Sequence, residues 1–243
     1  MKIRTILLAF GILVLASQMG RAEALPGLVV YGPGGPHHVM QECAELYQDR
    51  YGEPVAVIRA MPAELEKRLA EDGDLYYGGA DDMMVDIFDR HPDLLDLQTV
   101  EALHPRRVGI LVRKGNPLEI SSPADLHRDG VDLLNVKLED MASFQRRPGG
   151  GWNNVRQTAY TGKQGVKAWH ENRQLDAWVT YRTWYQQLEN HAEFIDISHL
   201  RGGLRYTPIA VTQRSSLREQ ALHFIAFLKS EDAREIFRAH GWY

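Results

Sequence analysis

Residues 28–38 read Leu-Val-Val-Tyr-Gly-Pro-Gly-Gly-Pro-His-His, and that order predicts a strand that turns abruptly into a helix. Leu28 to Tyr31 is a short apolar run, Gly34 and Gly35 free the backbone, and Pro36 suits the first helical position, where a missing N–H costs nothing. Behind the turn Met40, Cys43, Ala44, Tyr47 and Tyr51 recur at helical spacing. The unit then repeats. Gly52 to Pro54 ends the helix, Val55 to Ile58 reads as a strand, and Pro62 to Leu69 reads as a helix. Leu75 to Tyr77 is a third strand and Gly78-Gly79 its turn, while Met83, Met84, Ile87 and Phe88 mark a helix ended by His91-Pro92. Parallel strands need crossover connections, so strand, turn and helix repeated three times predict an α/β sheet covered by helices.

From Val108 to Val112 a second, similar region begins, its first strand closed by the turn Lys114-Gly115-Asn116-Pro117. It continues with strands over Val131–Val136 and Leu175–Thr180 and helices over Gly165–Asn172 and Thr183–Asn190. A late strand, Tyr206 to Thr212, contains Pro208, which cannot donate to a ladder and predicts an edge or crossing position. Two helices close the chain, one with Leu217, Ala221, Phe224, Ile225 and Leu228 on one face, the next with Ala233, Ile236 and Phe237. No flexible linker separates the two regions, which points to a hinge of paired strands.

Lys2 and Arg4, the apolar run Ile6 to Ala16, and small residues at Ala22 and Ala24 read as a secretory leader over residues 1–24, cleaved after Ala24 or Ala22. No later segment is long and apolar enough to span a bilayer, so the expected product is soluble, periplasmic and not membrane-embedded. Without the leader the net charge is about −6. That excludes the basic footprint of a nucleic-acid binder. The lone Cys43 lies on the apolar side of a helix and reads as a core residue, neither a lipid anchor nor a disulfide partner.

Candidate chemistry sits in the turns. The N–H groups after Gly34, Gly35, Pro36 and His37 form a helix start that binds anions without a charged side chain, or a plain tight turn. Gly79 and Ala80 make a second loop at the same sheet edge; Asp81 and Asp82 after it read as helix caps. In the second region the loop Arg146 to Trp152, with Arg147, Gly150, Gly151 and Trp152 as candidates, offers guanidinium groups for paired hydrogen bonds to an oxyanion and an aromatic wall. Solvated arginines on a loose loop would look the same. Thr180, Tyr181 and Arg182 stand at a strand-to-helix turn. His37 and His38 point about 100° apart on a helix, and no zinc-type spacing occurs, so no metal and no cofactor are expected. No nucleophile elbow or phosphate loop appears, so no catalytic residues and no enzymatic activity are expected.

Five segments together, Val30–His37, Asp74–Ala80, Lys114–Pro117, Leu175–Thr180 and Gly241–Tyr243, resemble the accessory colonization factor AcfC family, a branch of periplasmic binding proteins similar to molybdate- and sulfate-binding receptors. The resemblance implies a two-lobed type II periplasmic-binding-protein fold, each lobe a mixed, mostly parallel sheet flanked by helices. One lobe would comprise residues 25–107 plus 205–243 and the other residues 108–204. It further implies a monomeric receptor holding a small anion, such as sulfate or an organic acid, in a cleft between lobes and serving an ABC permease. A sensing role through a chemoreceptor, or an enzyme on the same scaffold, are the alternatives. Ala80 stands where a serine would be expected, and Arg146 to Gly151 replaces a hydroxyl-rich loop. Both departures favour an organic carboxylate or sulfonate over a fully desolvated tetrahedral dianion.

Overall fold

A computed structural model of the chain describes residues 27–145 and 151–243. The leader expected at 1–24 and the candidates Arg147 and Gly150 lie outside the described residues.

The first region follows the predicted order: β1 (Leu28–Gly32), α1 (His37–Tyr51), β2 (Val55–Arg59), α2 (Pro62–Glu71), β3 (Leu75–Tyr77) and α3 (Asp81–Arg90). Strand β1 pairs in parallel with both β2 and β3, as helical crossovers require. Next comes β4 (Glu101–Arg113), more than twice as long as its apolar stretch alone suggested. Strand β5 (Leu133–Val136), strand β6 (Val155–Ala159), helix α4 (Gly162–Glu171), strand β7 (Ala177–Tyr181), the single turn α5 (Arg182–Tyr185) and strand β8 (Ala192–Asp196) follow. Strand β9 (Leu204–Val211) and helices α6 (Arg218–Leu228) and α7 (Glu231–Ala239) end the chain.

Two strands join the halves. From Glu101 to Arg107, β4 lies antiparallel to β9, whose far side pairs with β3. From Val108 to Arg113 the same strand leaves β9 and lies between β7 and β8. Pro208 is not at an edge: β9 brings the chain back from the second half and lies between β3 and β4. The proline, paired with Ala102, is tolerated beside the register shift of the β4–β9 ladder between Ala102 and Pro105. The fold is two-lobed, a mixed α/β sheet flanked by helices.

Each half has its own two-sided core. Helices α1, α6 and α7 cover one face of the first sheet through Met40, Tyr47, Phe224 and Phe237, and α2 and α3 cover the other through Leu65, Leu69, Met84 and Ile87. In the second half Trp169 of α4 and Trp178 of β7 share one layer, while Val108, Ile110, Phe144 and Trp152 share the opposite one. Cys43 is buried in the first core, as its helical position indicates. Arg113 ties off the end of α4: its guanidinium donates to the carbonyls of Trp169, Asn172 and Leu175 and lies 3.9 Å from the Trp169 ring. A cation at a helix C-terminus opposes the negative end of the dipole and satisfies carbonyls that have no helical partner. The C-terminus docks on the crossing strands, with Tyr243 N–H donating to Pro105 O at 2.8 Å and the Trp242 indole to Thr207 Oγ1 at 3.0 Å.

Candidate functional site

A cavity of about 660 Å³ opens between the two halves. Its first-half wall is made of helix beginnings. Gly34, Gly35 and His37 come from the start of α1, Met61 and Pro62 from the start of α2, and Gly79, Ala80 and Met83 from the start of α3. Across the gap stand Thr161, Gly162 and Lys163 at the start of α4, with Tyr181, Thr183 and Trp184 beside them. These positions are forced by topology, because parallel strands deliver every following helix with its N-terminus at the same sheet edge. Four helix N-termini around one space make it electropositive without many charged side chains.

Local packing sets the shape. The Tyr77 hydroxyl donates to Pro33 O at 3.2 Å and its ring fills the space above Gly32, so the β1–α1 loop is held down from beneath. A Cβ on Gly162 would sit 2.2 Å from the Trp184 ring. Only glycine lets the first turn of α4 rest on that indole. The remaining donors of this turn are organised by a capping box, in which Thr161 accepts from Gln164 N–H while the Gln164 side chain accepts from Thr161 N–H.

Arg106 dominates the floor. It sits where β4 crosses between halves, is 3 % exposed, and lies flat on the Tyr181 ring at 3.6 Å. One of its terminal nitrogens donates to Gly79 O, Nε is buried with no partner, and no carboxylate among the described residues pairs with it. A buried cation lacking a counter-ion is costly, which is a reason for a ligand to supply one. His37 contributes a second unpartnered buried atom, Nδ1. Burial first, then the charges of Arg59 and His38, hold its pKa below the ordinary histidine value, so it is neutral at pH 7.

Opposite Arg106 stands a carboxyl group. Glu139 is 6 % exposed; its Oε2 accepts from Thr180 Oγ1 at 2.8 Å, and its Oε1 has no partner. Desolvation pushes its pKa up to about 7, against the smaller opposing pull of Thr180, Arg106 and the Trp184 and Trp178 indoles. The folded protein therefore holds more protons than the unfolded chain between the ordinary glutamate pKa and about 7, and loses stability as pH rises through that window. Glu139→Gln has no such loss. Its urea midpoint is expected to gain on the wild type from about pH 5 to about pH 8, by on the order of 2 kcal/mol, and parallel curves would refute the assignment.

Of the candidates named from the sequence, Gly34, Gly35, His37, Gly79, Ala80 and Tyr181 line this cavity. Pro36 is buried behind it as the residue preceding α1, and Thr180 is fully buried, reaching the space only through Glu139. Arg182 is exposed, its guanidinium about 6 Å from the Tyr185 and Phe194 rings and absent from the lining. Gly151 is exposed against Gln145, and Trp152 is buried in the second core, so neither reaches the cavity. Asp81 and Asp82 also stay out of it. Asp81 accepts from Tyr206 N–H at 3.1 Å, and Asp82 accepts from Met83 N–H and lies 3.6 Å from Arg205. Sequence reading missed Arg106, Glu139 and the start of α4; the Thr161…Gln164 pair was the one signal that could have marked the last.

The bacterial extracellular solute-binding protein model matches residues 28–243. The chain belongs to that family. Members of the solute-binding family are binding proteins, and the fold is of type II binding-protein class, in keeping with a cavity between its two lobes. Peb3 from Campylobacter jejuni has a similar structure, at 25% identity, a TM-score of 0.69, and coverage of 89% of this chain and 99% of that one. L-phospholactate-bound PEB3 is similar at 24% identity with the same score and coverage. The sulfate-binding protein SubI from Mycobacterium tuberculosis H37Rv shares the fold at 14% identity and a TM-score of 0.66, covering 89% of this chain and 84% of that one. No curated protein matches the sequence significantly. Among the described residues, no helix is long and apolar enough to cross a membrane, and no group of three or more His, Cys, Asp or Glu residues is placed to hold a metal ion.

Proposed function

We propose that this solute-binding protein is a periplasmic receptor of the ABC-transporter type, on the AcfC branch, that captures a small anion by closing its lobes and hands it to a permease. The observation that carries this reading is the buried, counter-ion-free Arg106 on the floor of a cavity ringed by four helix N-termini. The moving bodies are residues 25–107 plus 205–243 and residues 108–204, and the crossing strands β4 and β9 are the hinge. Contacts from both sides make the closed state the better binder, so ligand shifts the population toward it. A cavity of this size exceeds one tetrahedral oxyanion, which favours an organic acid with more than one polar group. The names of two neighbours, one bound to L-phospholactate and one sulfate-binding, agree with an anion.

Calorimetric titration with sulfate, L-phospholactate and a panel of di- and tricarboxylates is expected to identify a binder. X-ray scattering with that compound should show a smaller radius of gyration and a monomer. No binder in the panel, or binding without compaction, would overturn the reading.

A further inference from the structure

An anion site with a carboxyl group in its lining is a contradiction unless the carboxyl does something. Glu139 lines the cavity with one oxygen held by Thr180 and the other buried without a partner. The charged and titratable groups facing it come from four elements. Arg106 of β4 acts on it through space without forming an ion pair, and the Tyr181 phenol of β7 lies under the same guanidinium. From β9, Arg205 donates to the carbonyls of Glu139 and Asp140, and Asp82 of α3 stands against Arg205. Burial raises two of these acids: Tyr181, whose ordinary value already lies far above neutral pH, and Asp82, where the Arg205 charge opposes the shift and which lies outside the cavity lining. Glu139 is left as the group whose charge decides the sign of the cavity floor.

An ionised Glu139 cancels Arg106, and lobes closing over an anion would then enclose two negative charges in a low dielectric. A protonated Glu139 leaves the floor at +1. It also turns Oε1 from an acceptor into a hydroxyl donor, because Oε2 is already committed to Thr180. Resting on the anion reading above, we infer that Glu139 selects the ligand by charge, admitting an anion when its carboxyl carries a proton, so that capture at alkaline pH takes up one proton from solvent. The O–H bond forms at Oε1 and the proton comes from buffer. Anion affinity is full below about pH 7 and falls by up to about tenfold per pH unit above it. A receptor built this way holds its anion most tightly in an acid medium and discriminates against ligands that bring a cationic group to the floor.

The test uses the whole protein and two probes, sulfate, whose own charge is constant over the range, and L-phospholactate. Wild-type affinity for sulfate is expected to be roughly 30-fold weaker at about pH 8.5 than at about pH 6. Glu139→Gln should show one affinity at every pH. Titrations near pH 8 in two buffers of different ionisation enthalpy should report close to one proton taken up per sulfate, and infrared difference spectra should gain a protonated-carboxyl band on binding. These last two need no variant, so they decide the matter even if Glu139→Gln does not fold. Binding of neither anion at any pH overturns the anion reading and this inference together. Equal affinity at both pH values, no proton uptake, or a pH dependence that survives in Glu139→Gln, as titration of His37 would give, overturns this inference alone and leaves the receptor standing.

Discussion

Replacing Arg106 with methionine is expected to weaken the wild type's best anion by roughly a hundredfold or more, because truncating one partner of a buried charge pair costs about 2–5 kcal/mol and each 1.4 kcal/mol is about tenfold. Methionine fills the same space with an apolar chain and gives up the donor to Gly79 O and the guanidinium's stacking on the Tyr181 ring, neither of which is an ion pair, so the chain should still fold. Arg59 and Lys163 supply the comparison. Both line the cavity and both are exposed, so water screens them, and alanine at either should cost much less. Calorimetry on the three variants gives the ranking. Equal losses at Arg106 and Arg59, or an unchanged affinity in Arg106→Met, would place the ligand elsewhere. A circular dichroism melt on each variant separates lost binding from lost structure.

Trp178→Ala is expected to cost the fold most among substitutions in the core of the second half. The indole is fully buried on β7, and its ring presses so close to α4 that a Cβ on Gly165 would sit 2.7 Å from it. Removing it takes away a large apolar area and leaves a void that α4 cannot fill, since Trp169 and the Arg113 bonds hold the helix in place. A loss of about 3–5 kcal/mol is expected, read as a lower denaturant midpoint with little change in slope. A loss under about 1 kcal/mol would mean that α4 collapses onto the sheet, and the second-half rim of the cavity would then be softer than its contacts indicate.

The alternation of strands and helices was readable because its signals are local. Leu28 to Tyr31 before a glycine-proline turn, and Pro62 at the first turn of α2, report strand and helix through backbone constraints that need no partner. The same locality gave the helix starts at Gly35 and Gly79, which do line the cavity. Strand β6 escaped because it is mostly exposed and carries Val-Arg-Gln-Thr-Ala, with no apolar alternation to detect. The first half of β4 escaped because Pro105 and two arginines disguise a ladder that tolerates them at a register shift. The loop ending in Gly151-Trp152 looked like a site because glycine, arginine and tryptophan suit one chemically, yet Trp152 is spent on the core.

By itself, then, the sequence determined the αβ order, the anion-friendly turns at one sheet edge, and the family they resemble, since each depends on neighbours along the chain. Which charged residues enter the cavity was decided by the tertiary structure alone. Arg106 and Arg107 are adjacent, as are Glu139 and Asp140, and nothing in their chemistry separates them. The crossing of β4 between two sheets buries Arg106 and turns Arg107 out toward Asp196 and the Tyr243 ring; the fold likewise buries Glu139 behind Thr180 and leaves Asp140 in water. Burial is a property of packing between distant segments, and burial is what leaves the Arg106 guanidinium without an ion pair and raises the proton affinity of Glu139.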